Sequence, residues 1–219
     1  MISALVIKDL RLVARDRVFR FVMAGYLAVF LAGSLTFFSG FFSASGSHFA
    51  AAGELLFSRV CALQWILLAG ISPWLVLRMH GEELAHAGMM ARPWQVLISK
   101  TIASIAYLAV FLSLCLPVFS LVRLVGAAGL RQIAWSLADV FLFLVVLILL
   151  VFHVLLRSAG WAVSWTLSYA ALAALGFGFY EIRSALDHAS VTLILLLMAS
   201  FFAALLILHG NRALIYERN

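Results

Sequence analysis

The chain is poor in charge, lysine, cysteine and proline, and each shortage excludes something. Only 11% of its 219 residues are charged, and these sit almost entirely between the apolar runs. A water-facing core of this size needs charges spread over its surface, so a soluble globular domain is excluded. Lysine occurs only at Lys8 and Lys100, preceded by Ile and Ser. A P-loop needs Gly-Lys-Ser/Thr to cradle phosphate, so the chain cannot bind and hydrolyse ATP by that route. A GxSxG elbow, a Gly-rich dinucleotide turn and a metal-ligand cluster are also missing, and no enzyme activity or cofactor is expected in this chain. Cys61 and Cys115 lie inside apolar runs without paired spacing. They read as small hydrophobes rather than as a disulfide or metal pair. The net charge of +6 is not gathered into the patch that nucleic-acid binding needs.

What is abundant is hydrocarbon. Apolar residues make up 66% of the chain and form six stretches, about 19–39, 56–77, 97–119, 134–156, 161–180 and 190–209. A helix needs about 20 apolar residues to cross a bilayer core. Barrel strands would alternate apolar and polar residues, which these stretches do not. Helices that satisfy their own backbone remain, so the expected fold is all-α: one polytopic membrane domain over 1–219 with six transmembrane helices. The first stretch follows the charged segment Lys8–Arg20 and is too long for the core of a cleavable signal. With both ends in the cytoplasm, eleven Lys and Arg face inward and four (Arg59, Arg123, Arg131 and Arg183) face outward. That bias sets the expected orientation.

Before the first span, Ile2, Val6, Leu10 and Val13 recur at helical spacing, with Lys8, Arg11 and Arg15 on the opposite stripe and Asp9 out of place near the apolar side. Residues 1–18 therefore read as an amphipathic helix lying at the inner membrane surface, or as a cytoplasmic extension of the first span. A loop is expected over about 40–54. The longest inward connection, 78–96, can form a short helix that Pro93 ends, Pro93 then opening the next span. Pro73 should disturb the second span and free a carbonyl nearby. Ala24, Ala28 and Ala32 line one face of the first span, and Ala170, Ala174 and Gly178 one face of the fifth. Such faces let helices approach closely, either within one chain or across a dimer.

Two groups carry candidate chemistry. His80-Gly81-Glu82-Glu83-Leu84-Ala85-His86 lacks the spacing of a zinc-protease helix and reads as a charged loop that meets another protein. Arg59 and Asp139 fall at similar depth from the outer face and read as one structural ion pair, with Arg59 reaching for the interface as the alternative.

The pattern resembles the ABC type-2 exporter permeases, six-span subunits of ATP-binding-cassette transporters whose ATPase is a separate chain. The opening segment IKDLRLVARDRVFR is similar to that family's interface helix. Glu82 and Glu83, then Leu84–Met90, Pro93 and Lys100 follow the order of its loop between spans two and three. The resemblance implies a bacterial cytoplasmic membrane protein with two permease subunits, identical or related, packed through spans one and five. It also implies a P-loop ATPase partner, which would hold ATP and Mg. Glu82, Glu83, Met89, Met90, Arg92 and Pro93 would form the ATPase-coupling loop. The alternative is a membrane scaffold or assembly factor of the same fold that transports nothing; a haem-exporter subunit is a further relative of similar size. Contact with the bilayer is expected, and none with nucleic acid.

Overall fold

The computed structural model describes the backbone of residues 2–44, 49–80, 93–157 and 161–216, and the side chains of 2–43, 51–78, 95–155, 163–179 and 186–208. These residues form α1 (Ile2–Arg15), α2 (Arg17–Ala44), α3 (Phe49–His80), α4 (Pro93–Leu124), α5 (Leu130–Arg157), α6 (Trp161–Ala185) and α7 (His188–Tyr216). No strand occurs among the described residues. Five helices hold apolar stretches long enough to cross a bilayer: Arg17–Ser43, Ala51–Arg78, Gln95–Leu124, Leu130–Leu155 and His188–Leu208. α6 holds a shorter one, Val163–Phe179. The architecture is that of a multi-pass helical membrane protein.

The helices outrun the apolar stretches at both ends. The loop expected over 40–54 is mostly helix, because α2 continues to Ala44 and α3 starts at Phe49. Side-chain hydroxyls near the end of α2 are accommodated within the helix. Thr36 donates to the Ala32 carbonyl (3.0 Å), Ser39 to that of Thr36 (2.8 Å) and Ser43 to that of Ser39 (2.9 Å). Each polar group is thus satisfied inside its own helix. α4 opens on Pro93 as expected, since a first-turn position needs no N–H.

Helix ends are closed by specific residues. Gly126 takes φ 72°, and the Ala127 N–H reaches back to the Val122 carbonyl at 3.1 Å, ending α4. Gly53 of α3 sits against this turn; a Cβ there would lie 3.1 Å from the Ala127 Cα. Asp187 caps the start of α7. The Ser190 hydroxyl, more than the neighbouring N–H groups, holds its carboxyl below the ordinary value.

Successive spans alternate in direction. Phe19 and Tyr26 of α2 meet Tyr107 and Phe111 of α4 in the same order, with ring centroids 4.7 and 5.0 Å apart. Trp65 of α3 packs on Phe143 of α5 and Phe179 of α6. α5 is the central helix and touches α3, α4, α6 and α7. Val140, Leu144, Leu147, Ile148, Val151 and Phe152 on it are closed off from solvent. The periphery is also apolar: Phe21 and Leu35 on α2, Phe177 on α6, and Leu197 and Phe201 on α7 are all exposed. Apolar faces of that extent on both sides of the bundle fit a hydrocarbon surround.

Candidate functional site

Most of the buried charge lies at the two ends of the bundle. At the end where α1 joins α2, the apolar stripe of α1 is not free. Leu10 and Val13 pack against the core, and Asp9 is turned the same way and only 7% exposed. Its Oδ2 accepts the Ser99 hydroxyl at 2.7 Å, and its Oδ1 lies 4.0 Å from Nζ of Lys100, itself 3% exposed. The Tyr107 hydroxyl donates to the Leu10 carbonyl. Three residues of α4 thereby hold α1. A carboxylate that breaks an apolar stripe is costly unless paired, and here the pairing decides which way the helix faces.

Asp16 makes the next connection. It occupies the break between α1 and α2 and accepts the Val18 N–H at 2.9 Å, capping α2. It also accepts Nε of Arg78, near the end of α3, at 3.0 Å. Partial burial pushes its carboxyl up, but the Val18 N–H, the Arg78 guanidinium and the Phe19 N–H together hold it below its ordinary value. α1 and its junction are thus fastened to α3 and α4, the two helices that flank residues 81–92. Lys8, Arg11 and Arg15 lie on the outward face of α1, where Ile7 and Leu12 are exposed beside them. The face is therefore mixed rather than purely basic. Glu82, Glu83, Met89, Met90 and Arg92 lie outside the described residues, as does the side chain of Pro93.

At the other end Asp139 of α5 is fully buried. The expected pairing with Arg59 is not formed. Asp139 Oδ2 instead meets Nδ1 of His188 at 2.8 Å, and Oδ1 meets the Thr192 hydroxyl at 3.0 Å, both from α7. The Thr192 hydroxyl also lies 2.8 Å from the His188 carbonyl, so its one proton is shared. Trp135 stacks on the His188 ring. Arg59 is exposed and stands 6.0 Å over the Phe37 ring. Equal depth does not fix the direction a residue faces: Val60 and Cys61 point inward on α3 and Arg59 points out.

Between the ends the polar contacts are sparse. The Tyr26 hydroxyl lies 2.7 Å from Cys115 Sγ, and Ser136 donates to Cys61 Sγ at 3.3 Å, so the two thiols sit on different partners. Gln64, 1% exposed, lies beside the Cys115 sulfur without a hydrogen bond of ordinary geometry among the described residues. The carbonyl that Pro73 should free is that of Ala69, and it is taken up by the Ser72 hydroxyl at 3.1 Å. Tyr169 of α6 donates to the next carbonyl, Gly70, at 3.2 Å.

The small-residue faces divide. Ala24, Ala28 and Ala32 on α2 are all exposed, as are Ala170 and Ala174 on α6. Ala174 and Gly178 line a cleft toward α7. No group of three or more metal-ligating side chains occurs among the described residues. Asp9, Ser99 and His188 are the residues that sequence reasoning passed over. Only Asp9 left a signal, as the lone acid on an apolar stripe.

Comparison with family models, with curated proteins and with solved structures finds no match.

Proposed function

We propose that this chain is the six-span membrane subunit of an ATP-binding-cassette exporter, driven by a separate ATPase that holds ATP and Mg. In this reading α2 to α7 are the six spans of a bacterial cytoplasmic membrane protein with both ends inside. α1 is the interface helix at the inner surface, and segment 78–96 docks on the ATPase through Glu82, Glu83, Met89, Met90, Arg92 and Pro93. The exposed Ala24, Ala28 and Ala32 face of α2 meets the second permease subunit, as does Ala170 of α6, while Ala174 and Gly178 of the same α6 face border the cleft toward α7.

One observation carries the reading. α1 and its junction are joined by Asp9, the Leu10 carbonyl and Asp16 to α3 and α4, on either side of the proposed docking segment. A push on that segment moves both flanking helices, and α1 moves with them. Coupling of this kind needs discrete contacts that shift together, and the polar contacts of α1 and its junction supply them.

The experiment is purification of the full chain from its native membrane in mild detergent, with mass spectrometry and an ATPase assay on the eluate. The expected result is co-elution of a P-loop ATPase, released when Glu82 and Glu83 are both changed to Arg. Elution with no nucleotide-binding partner overturns the reading. Co-elution without ATP-dependent flux after reconstitution shifts it to a scaffold.

A further inference from the structure

α6 and α7 touch each other only sparingly, and between them lies a cleft of about 90 Å³, floored by α5 and open on one side. Its wall is hydrocarbon: Phe143, Ala174, Gly178, Phe179, Leu195 and Met198 all contribute. Gly178 leaves space there, since a Cβ added to it would meet nothing within 4 Å. Phe143 and Phe179 stand 4.8 Å apart, and Trp65 backs both. Phe177 on α6 and Leu193 and Leu197 on α7 are exposed, so both helices that wall the cleft also face the apolar surround of the bundle.

The cleft is capped at one end. Phe143 lies one helical turn from Asp139, Val191 one turn from His188, and Leu195 one turn from Thr192. A turn is about 5.4 Å, so the polar cluster stands directly beyond the apolar wall. The His188 side chain is 43% exposed, and its Nδ1 is taken by Asp139. Its other ring nitrogen is therefore on the edge turned away from the carboxylate. An apolar cleft that ends in one held imidazole is complementary to a chain with a polar end. The volume is smaller than the ~150 Å³ that accommodates a benzene ring, so the cleft takes a short segment of one methylene chain, the rest lying in the apolar surround, and not a ring system.

We propose that the α6–α7 cleft binds a single-chain amphiphile, its hydrocarbon along Phe143, Phe179 and Leu195 and its headgroup hydrogen-bonded to the outer edge of His188. Asp139 and Thr192 are positioning residues that hold the imidazole and the start of α7. The site does not depend on the permease reading, and its test does not involve an ATPase.

The probe is a lysophospholipid with a diazirine in its acyl chain, photolysed with the purified full chain and mapped by mass spectrometry. Labelling is expected on the cleft walls of α6 and α7 and is displaced by unlabelled lysophospholipid. Gly178→Phe fills the cleft and reduces labelling about tenfold, a loss of roughly 1.4 kcal/mol. Val191→Phe fills it from the facing wall and serves where the first variant fails to fold. His188→Asn keeps a donor to Asp139 but removes the outer ring edge; it is expected to weaken displacement by the lysophospholipid while leaving displacement by a plain alkane unchanged. Even labelling over lipid-facing residues such as Leu35 and Leu197 overturns the proposal. So does labelling that neither filling variant reduces. Loss of a dimer in place of loss of label also overturns it, since a second copy would then cover the cleft.

Discussion

At one end of the bundle Asp9 meets a buried lysine and a serine, and two further polar contacts fasten the same segment of chain. At the other, Asp139 rests, among the described residues, on His188 and Thr192 alone. The first arrangement joins three helices through several separate contacts. The second joins two helices through one carboxylate, and its histidine is half open to its surroundings. The difference teaches where each end can yield. Several contacts on one segment must all part before it comes loose, whereas a single shared carboxylate can be reorganised by one new partner at His188.

The comparison can be broken most severely at Asp9. Asp9→Ala leaves Lys100 buried without its carboxylate, and a loss of about 3–5 kcal/mol is expected, read as lower thermal stability in detergent. The double variant Asp9→Leu with Lys100→Met should recover most of that loss, because two apolar groups replace a desolvated pair. No recovery would assign the loss to the Ser99–Asp9 hydrogen bond rather than to the pair with Lys100.

Asp139→Ala is expected to cost less, about 1–3 kcal/mol, because His188 can turn to other partners when its acceptor is removed. Thermal unfolding on the same scale ranks the two ends directly. Equal losses would erase the contrast. Tyr107→Phe removes one hydroxyl from the α1 contacts and should cost about 1 kcal/mol by the same measurement.

The smallest effect is at Asp16, where the contact with Arg78 is partly exposed and is expected to contribute under about 1 kcal/mol. Its folded carboxyl is held below the unfolded value, near 3.9, so its contribution is present above that value and is lost as pH falls through the folded one. Asp187 acts in the same direction. Asp16→Asn should therefore flatten only part of the acid limb of a stability profile taken from about pH 6 to pH 2. An unchanged limb would assign the whole of it to other carboxylates.

Much of the framework was legible in the sequence. Apolar length located five helices long enough to cross a bilayer and the shorter apolar stretch of α6, and Pro93 marked the start of α4, because both signals are local. The extent of the helices was less legible: the Ser/Gly-rich segment after the first span looked like a loop, yet α2 runs to Ala44, with Ser43 bonded back to its own helix, and α3 starts at Phe49. Asp139 was recognisable as an intramembrane acid, but depth alone suggested Arg59 as its partner. His188 was hidden because it appeared to belong to a connection, while it begins α7 and faces α5. Asp9 looked out of place only because α4 cannot be set beside α1 without knowing the packing. Pairings across 90 positions depend on rotation about each helix axis, and that is settled by the whole bundle.

The same separation bears on how the protein is made. Synthesis proceeds from the N-terminus, so the Asp9 carboxylate emerges long before Ser99 and Lys100 exist. Until α4 arrives, α1 has no buried seat for that charge and stays in contact with water. The contact at Asp9 therefore closes only once α4 has been made, before α5 to α7 follow, and its closure depends on α4 lying beside α1. A chain whose α4 enters in the wrong register leaves that carboxylate without Ser99 and Lys100.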